Sequence, residues 1–405
     1  MIKKGVAMQP VMLVVGTRPE GIKMMPIFFA LKRAGVPVII CSTGQHCSLL
    51  DEVFTLFSVT PDIKLSLMKP GQDLSYLTCA VLESMKEVYA RHKPSLVLLQ
   101  GDTTTVMAAA LAAFYEKIPV GHVEAGLRTG DMLNPYPEEA HRCIVGLLAQ
   151  YHFAPTSLAT GNLLAEGKKR STVFCVGNTV VDALRIIEEK IKVGSVRICP
   201  ELFSAVKMAD DRGYKKVLVT AHRRESFPDG IVRILRAVKR YAQMHPETAF
   251  FYPYHPNPVV MAALAEVQLA DEQNISLFPP LAYHELVFLL QSVDCVMTDS
   301  GGIQEEAVSM GKNVLVLREK SERMEGVWEG LAVLVGTQEN AILKALASSL
   351  DDEKKQQLIR NSVYGDGFSA DRIVEIVKTL RMKQYEESRE CDYQRKGYEY
   401  EKSIS

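Results

Sequence analysis

With 405 residues, 47% of them apolar and 23% charged, the chain has room for two domains of ordinary size, each with its own core. A formal net charge of -1 argues against a nucleic-acid or membrane-surface binder, so any anion site has to be local. No stretch approaches the ~20 apolar residues of a membrane span.

Lys3-Lys4 precedes an apolar run at Val11 to Val15 that is too short for a signal peptide and has no small-residue cleavage site. The chain reads as a soluble cytoplasmic protein. Six strand-like runs are expected in the first half and six in the second. Met12 to Val15 gives way to Gly16-Thr17-Arg18-Pro19-Glu20 and a helix from Gly21 to Lys32. Val38 to Cys41 leads to Thr43-Gly44-Gln45-His46, and a helix follows from Leu74 to Arg91. Leu96 to Leu99 runs into Gly101-Asp102 and a helix from Thr103 to Tyr115. Pro119 to Val123 runs into Glu124, ahead of a helix from Pro137 to Gln150. Gly177-Asn178 closes the sixth strand, and Asp182 to Ile191 reads as a helix.

The second half follows the same plan. Val217 to Val219 leads to His222-Arg223-Arg224-Glu225 and a helix from Ile231 to Met244. Phe250 to Tyr252 leads to His255-Pro256-Asn257 and a helix from Pro258 to Leu269. Cys295 to Met297 leads to Asp299-Ser300-Gly301-Gly302 and a helix from Gly302 to Ser309; a further helix is expected from Gln338 to Leu350. This alternation predicts an α/β protein of parallel sheets covered on both faces. In such sheets the ligand crevice lies outside the carboxyl ends of the strands. Two rows of polar strand ends predict two sheets facing each other across a ligand. The expected domains are 1–178 and 179–365, then a helix within 366–382 returning to the first domain, and a charged tail at 383–405. The eight cysteines show no CxxC spacing, and five of them sit in apolar runs or at strand ends, so they read as buried free thiols of a reducing cytosol.

Met297-Thr298-Asp299-Ser300-Gly301-Gly302-Ile303-Gln304-Glu305-Glu306 is a strand, two glycines and a helix start. Backbone N–H groups and the helix dipole suit a phosphate there, glycines admit its oxygens to the main chain, and Glu306 could accept from both hydroxyls of a ribose. The plainer alternative is a tight turn capped by Ser300 with two first-turn acids. At the similar corner from Gly16 to Lys23, Arg18 and Lys23 could face a diphosphate. Alternatively, Arg18 and Glu20 form a surface ion pair beside a solvated Lys23. Arg323 is a third candidate cation. Asp102 could cap the helix at Thr103, and Glu138 with Arg142 could be an i,i+4 pair. Glu124, at the end of a buried strand, is less easily explained by structure; desolvation there would suit it to proton transfer. His222 could shuttle a proton, bind a phosphate oxygen or serve structure. No HExxH, GxGxxG or GxxxxGK[ST] pattern occurs, so no metal, dinucleotide or P-loop site is expected.

Taken in order, seven segments resemble the non-hydrolysing UDP-N-acetylglucosamine 2-epimerases, from about Val11 to about Leu380. They are Gly16-Thr17-Arg18-Pro19-Glu20, Gly101-Asp102-Thr103-Thr104-Thr105, His122 to Gly130, Pro137-Glu138-Glu139, Gly177-Asn178-Thr179, His222 to Ser226, and Asp299 to Glu306. The resemblance implies the GT-B fold, two Rossmann-like domains across a central cleft. It implies inversion of C2 of UDP-GlcNAc to give UDP-ManNAc, a precursor of cell-surface polysaccharide. Nucleotide contacts are implied at Arg18, Lys23, His222, Ser300, Gly301, Gly302, Glu306 and Arg323, and catalytic roles at Asp102, Glu124, Glu138 and His222. It also implies a homodimer and a neighbouring substrate-activation site at Gln45, His46 and Arg142. Met324 stands where relatives commonly have proline, and Leu281 and Leu286 where some have Gln and Phe near the uracil.

The chemistry fits those residues. The C2 hydrogen of an N-acetyl sugar is not next to a carbonyl, so enolisation is not open to it. Elimination of UDP across C1–C2 gives a 2-acetamidoglucal, to which UDP adds back after C2 is reprotonated on the other face. That route needs carboxylates about C2, and cations and N–H groups for the departing diphosphate. It needs no cofactor. The alternatives are C2 epimerisation of a modified UDP-2-acetamido sugar and a GT-B glycosyltransferase, which has little use for three acids.

Overall fold

The computed structural model describes residues 9–44, 47–69, 71–223, 227, 229–351 and 363–382. Gln45, His46, residues 224–226 and the tail at 383–405 lie outside the described residues.

The first sheet has seven strands: β1 (Val11–Val15), β2 (Val38–Ser42), β3 (Ile63–Lys64), β4 (Leu96–Gln100), β5 (Val120–Val123), β6 (Tyr151–Ala154) and β7 (Val173–Cys175). The second has six: β8 (Lys215–Thr220), β9 (Thr248–Pro253), β10 (Ile275–Phe278), β11 (Cys295–Thr298), β12 (Asn313–Val316) and β13 (Ala332–Leu334). Their orders are β3-β2-β1-β4-β5-β6-β7 and β10-β9-β8-β11-β12-β13, and every pairing is parallel. In each sheet the order reverses beside the first strand, at β1/β4 and β8/β11, where an α/β sheet opens its ligand crevice. Among the described residues the first half thus holds seven strands where six were expected. The extra one, β3, pairs only Ile63 and Lys64 with Cys41 and Ser42, too short to leave a pattern.

Helices α1 (Arg18–Arg33), α2 (Cys47–Phe57), α3 (Leu74–His92), α4 (Thr104–Tyr115), α5 (Glu138–Leu148) and α6 (Ser157–Ala165) belong to the first lobe. Then α7 (Thr179–Lys192) leads through α8 (Pro200–Asp211) to the second. There follow α9 (Asp229–Met244), α10 (Pro258–Val267), α11 (Tyr283–Ser292), α12 (Gly301–Ser309), α13 (Glu325–Trp328) and α14 (Glu339–Asp351). Strand β1 is buried throughout, and its side chains alternate between two cores. Val11, Leu13 and Val15 face one, with Met24, Ile27 and Leu31 of α1; Met12 and Val14 face the other, with Val81 and Ala109 of α3 and α4. That double burial is why parallel strands read as continuous apolar runs.

Residues 369–382 form a last helix, α15, whose Ile373, Val374 and Val377 join the core containing α1 and β1. Asp182 of α7 caps its start, accepting from the N–H groups of Ser369 at 3.2 Å and Ala370 at 2.8 Å. The two passages of chain between the lobes touch: Asn178 N–H donates to Tyr364 O at 2.7 Å. Gly177 (φ +94°) and Gly365 (φ +119°) abut there, and a Cβ on Gly177 would lie 3.3 Å from Gly365 Cα. Both need glycine on conformation and on space.

The six described cysteines are free; Cys41 and Cys295 are buried, Cys143 and Cys199 partly so, and Cys79 and Cys175 are exposed, so the buried reading holds for only some of them. Among the described residues no helix is long and apolar enough to cross a membrane.

Candidate active site

A cavity of about 470 Å³ lies between the lobes, at the carboxyl ends of both sheets. That volume is ordinary for a small-molecule site. The first lobe lines it with Arg18, Glu20, Lys23, Asp102, Glu124, Glu138 and Arg142; the second with His222, Ser300, Gly302, Glu306 and Arg323.

Glu124 follows β5 in the left-handed backbone region, φ +63°, which is unusual for a residue with a side chain. Its buried carboxylate is compensated. Lys23 Nζ lies 2.5 Å from Oε2, Gln100 Nε2 donates to the same oxygen, and Arg323 Nη2 stands 3.6 Å from Oε1. Glu124 is therefore a paired carboxylate, where desolvation alone was expected. Lys23 is buried rather than solvated and is shared with Glu305 of α12 at 3.2 Å. Burial opposes its charge, but Glu124 and Glu305 outweigh that and raise its pKa.

Asp102 does not cap α4; Thr103 does, accepting from Val106 N–H. The Asp102 carboxylate takes Arg142 Nη2 at 2.8 Å and Nε at 2.9 Å, while its carbonyl meets His141 Nδ1 at 2.9 Å. The i,i+4 pairing of Glu138 with Arg142 does not form. Arg142 pairs with Glu139 at 3.0 Å, and Glu138 turns to the cavity. Nor is there a surface pair of Arg18 with Glu20. Glu20 is buried, accepting from Gly16 N–H at 2.7 Å, Thr17 Oγ1 at 3.0 Å and Thr103 Oγ1 at 2.8 Å. Burial pushes its pKa up to about 7, against those donors. Arg18 crosses the cleft, donating to Leu281 O at 3.1 Å.

In the second lobe Ser300 sits at the start of α12 without a side-chain cap bond, and Glu305 and Glu306 lie beyond the first turn. The capped-turn alternative fails on both counts. Gly301 packs against the Arg323 guanidinium, which would have to shift to admit a Cβ. Glu306 accepts from Tyr283 OH at 3.1 Å, and burial raises its pKa to about 7. His222 stacks on His255, ring centres 5.5 Å apart, with Nδ1 3.5 Å from Asp299 Oδ1. Burial lowers its pKa, with Asp299 opposing. Asp299 also accepts from the N–H groups of His222 and Arg223, each at 2.6 Å, which fixes the β8 corner against β11.

From residue 30 to 378 the chain matches the model of the family described as UDP-N-acetylglucosamine 2-epimerase. The Escherichia coli (strain K12) protein of that name is 44% identical over 375 residues, 92% of this chain and 99% of that one. The chain belongs to the UDP-N-acetylglucosamine 2-epimerase family. The Neisseria meningitidis UDP-GlcNAc 2-epimerase, solved bound to UDP-GlcNAc, superposes with a TM-score of 0.84 at 39% identity, covering 91% of this chain and all of that one. The Methanocaldococcus jannaschii enzyme, solved with UDP-GlcNAc and UDP, gives 0.77 at 31% identity over 91% and 99%. These likenesses bear out the GT-B architecture.

In this epimerase-family chain Leu281 and Leu286, the departures noted near the uracil, both line the cavity. Arg142 lines that same cavity through its hold on Asp102. Sequence reasoning missed Gln100, Glu139, Glu305, Glu322 and Tyr283. The doubled acids Glu138-Glu139 and Glu305-Glu306 were a usable signal. Neighbours on a helix point about 100° apart, so each pair puts one carboxylate in the cavity and one behind it.

Proposed function

We propose that this protein interconverts UDP-GlcNAc and UDP-ManNAc by eliminating UDP and adding it back. The observation that carries the reading is one cavity whose first-lobe wall holds Asp102, Glu124 and Glu138 and whose second-lobe wall holds Ser300, Gly302 and Glu306. A carboxylate takes the proton from C2, the C–H pair becomes the C1–C2 double bond, and the C1–O bond breaks onto the diphosphate. Arg18, Arg323, His222 and the N–H groups at Gly301 and Gly302 stabilise the charge that develops there. Glu306 accepts from the ribose hydroxyls, its orientation set by Tyr283. A second carboxylate delivers a proton to the other face of C2 before UDP returns. Closure of the two lobes on the bound sugar keeps water from the glycal.

The homodimer belongs to the same reading. On α5, Ile144 (40% exposed) and Leu147 (75%) lie one turn apart, and Leu133 and Tyr136 in the segment leading to that helix are exposed too. An apolar patch of this kind suits a second copy. Light scattering on the eluting protein tests it.

Incubation with UDP-GlcNAc in heavy water tests the activity. UDP-ManNAc carrying deuterium at C2 is the expected product. Release of UDP that depends on an added acceptor, with no label at C2, would put a glycosyltransferase in its place.

A further inference from the structure

Glu305 does not line the cavity, yet its buried side chain (1% exposed) holds the two cations that do. Oε2 takes Lys23 Nζ at 3.2 Å, and Oε1 takes Arg323 Nε at 2.8 Å. Lys23 comes from the first lobe and Arg323 from the second. Both also face Glu124, at 2.5 Å and 3.6 Å. Four charges thus close a square across the cleft, each cation shared by carboxylates of opposite lobes. A parallel contact lies beside it: Glu322 is 4.0 Å from Arg142, the residue that holds Asp102.

This square exists only while the lobes are together. Parting them leaves Lys23 with Glu124 alone and withdraws Arg323 from that carboxylate. In a desolvated site such a change in neighbouring charge is large compared with the same change in water. The surroundings of Glu124 therefore differ between shut and open cleft, and Glu305 ties the two cations to that difference.

We propose that Glu305 is a positioning residue coupling closure of the two lobes to proton transfer at Glu124, so that the glycal forms only where it is enclosed. It acts through Lys23 and Arg323 without touching the sugar. The inference rests on the epimerase reading above.

The experiment compares wild type with Glu305→Gln and Glu305→Asp, following UDP-ManNAc, free UDP and free 2-acetamidoglucal by proton NMR during turnover of UDP-GlcNAc. The Gln variant leaves each cation a carboxylate, Glu124 for Lys23 and Glu322 for Arg323, so a folded protein is expected. Its kcat should fall roughly 10²-fold with KM little changed. The share of turnovers ending as free UDP and glycal should rise severalfold, and Glu305→Asp should lie between. Should Glu305→Gln fail to fold, the Asp variant carries the same comparison. Wild-type partitioning in a folded variant, or a rise in KM matching the whole loss of kcat/KM, overturns the inference. Absence of C2 exchange in wild type would instead sink the epimerase reading itself, and the inference with it.

Discussion

Lys23 Nζ and Glu124 Oε2 stand 2.5 Å apart, both nearly buried, joining α1 to the end of β5 inside the cavity. Isolated, either charge would be costly there; together, and with Glu305 and Arg323, they form a preorganised polar surface. The Lys23→Met variant leaves Glu124 with Gln100 and the more distant Arg323. Deuterium entry at C2 of UDP-GlcNAc should slow by about 10²-fold or more, and the melting point should fall. Exchange at the wild-type rate in Lys23→Met would remove Lys23 from the machinery.

Glu20 gives a stability signature. A buried carboxyl with its pKa raised to about 7 binds its proton more tightly folded than unfolded. Its contribution is complete below the ordinary carboxyl value and is lost as pH rises through about 7. A shift of that size corresponds to on the order of 3 kcal/mol. Glu20→Gln can accept from Gly16 and donate to the rotatable hydroxyls of Thr17 and Thr103. Calorimetry at pH 5 and pH 8 should show a smaller drop in melting temperature for Glu20→Gln than for wild type. Equal drops would refute the assignment.

Glu306 gives a binding signature of opposite use. Its pKa is raised to about 7 by burial, and in the role proposed above the ionised form is the one that accepts from two ribose hydroxyls. Affinity for UDP-GlcNAc should therefore rise as pH climbs through about 7. Titration calorimetry on Glu306→Gln should show weaker binding with that rise gone; a retained rise would place the titrating group elsewhere.

Gly301→Ala sets a Cβ against the Arg323 guanidinium, the nearest group it would meet. Arg323 must shift, which disturbs Glu305 and Glu124 together. UDP affinity should drop about tenfold or more, by roughly 1.4 kcal/mol or above, with little change in melting temperature. Undiminished affinity would show that Arg323 adapts without consequence.

The strand-end residues were legible because parallel strands are apolar throughout, so a polar residue at the carboxyl end marks the rim of the sheet. Asp102, Glu124, His222 and Ser300 were found this way, and β1, β4, β5, β8 and β11 with them. Partners were not legible. Arg142 was matched to Glu138 by helical spacing, yet it pairs with Glu139 and with Asp102, 40 residues away. Glu305 looked like a first-turn acid because the start of α12 lies one residue earlier than expected and its partners come from α1 and residue 323. Short elements also escaped: β3 has two residues and α13 four, below the length at which periodicity speaks.

The touching glycines at 177 and 365 have a mechanical corollary. Because outgoing and returning chain meet at one spot, a rotation about that spot stretches neither tether, and displacement grows with distance from it. Gaping at the far rim therefore asks little of the tethers, and resistance to it falls chiefly on side-chain contacts across the gap.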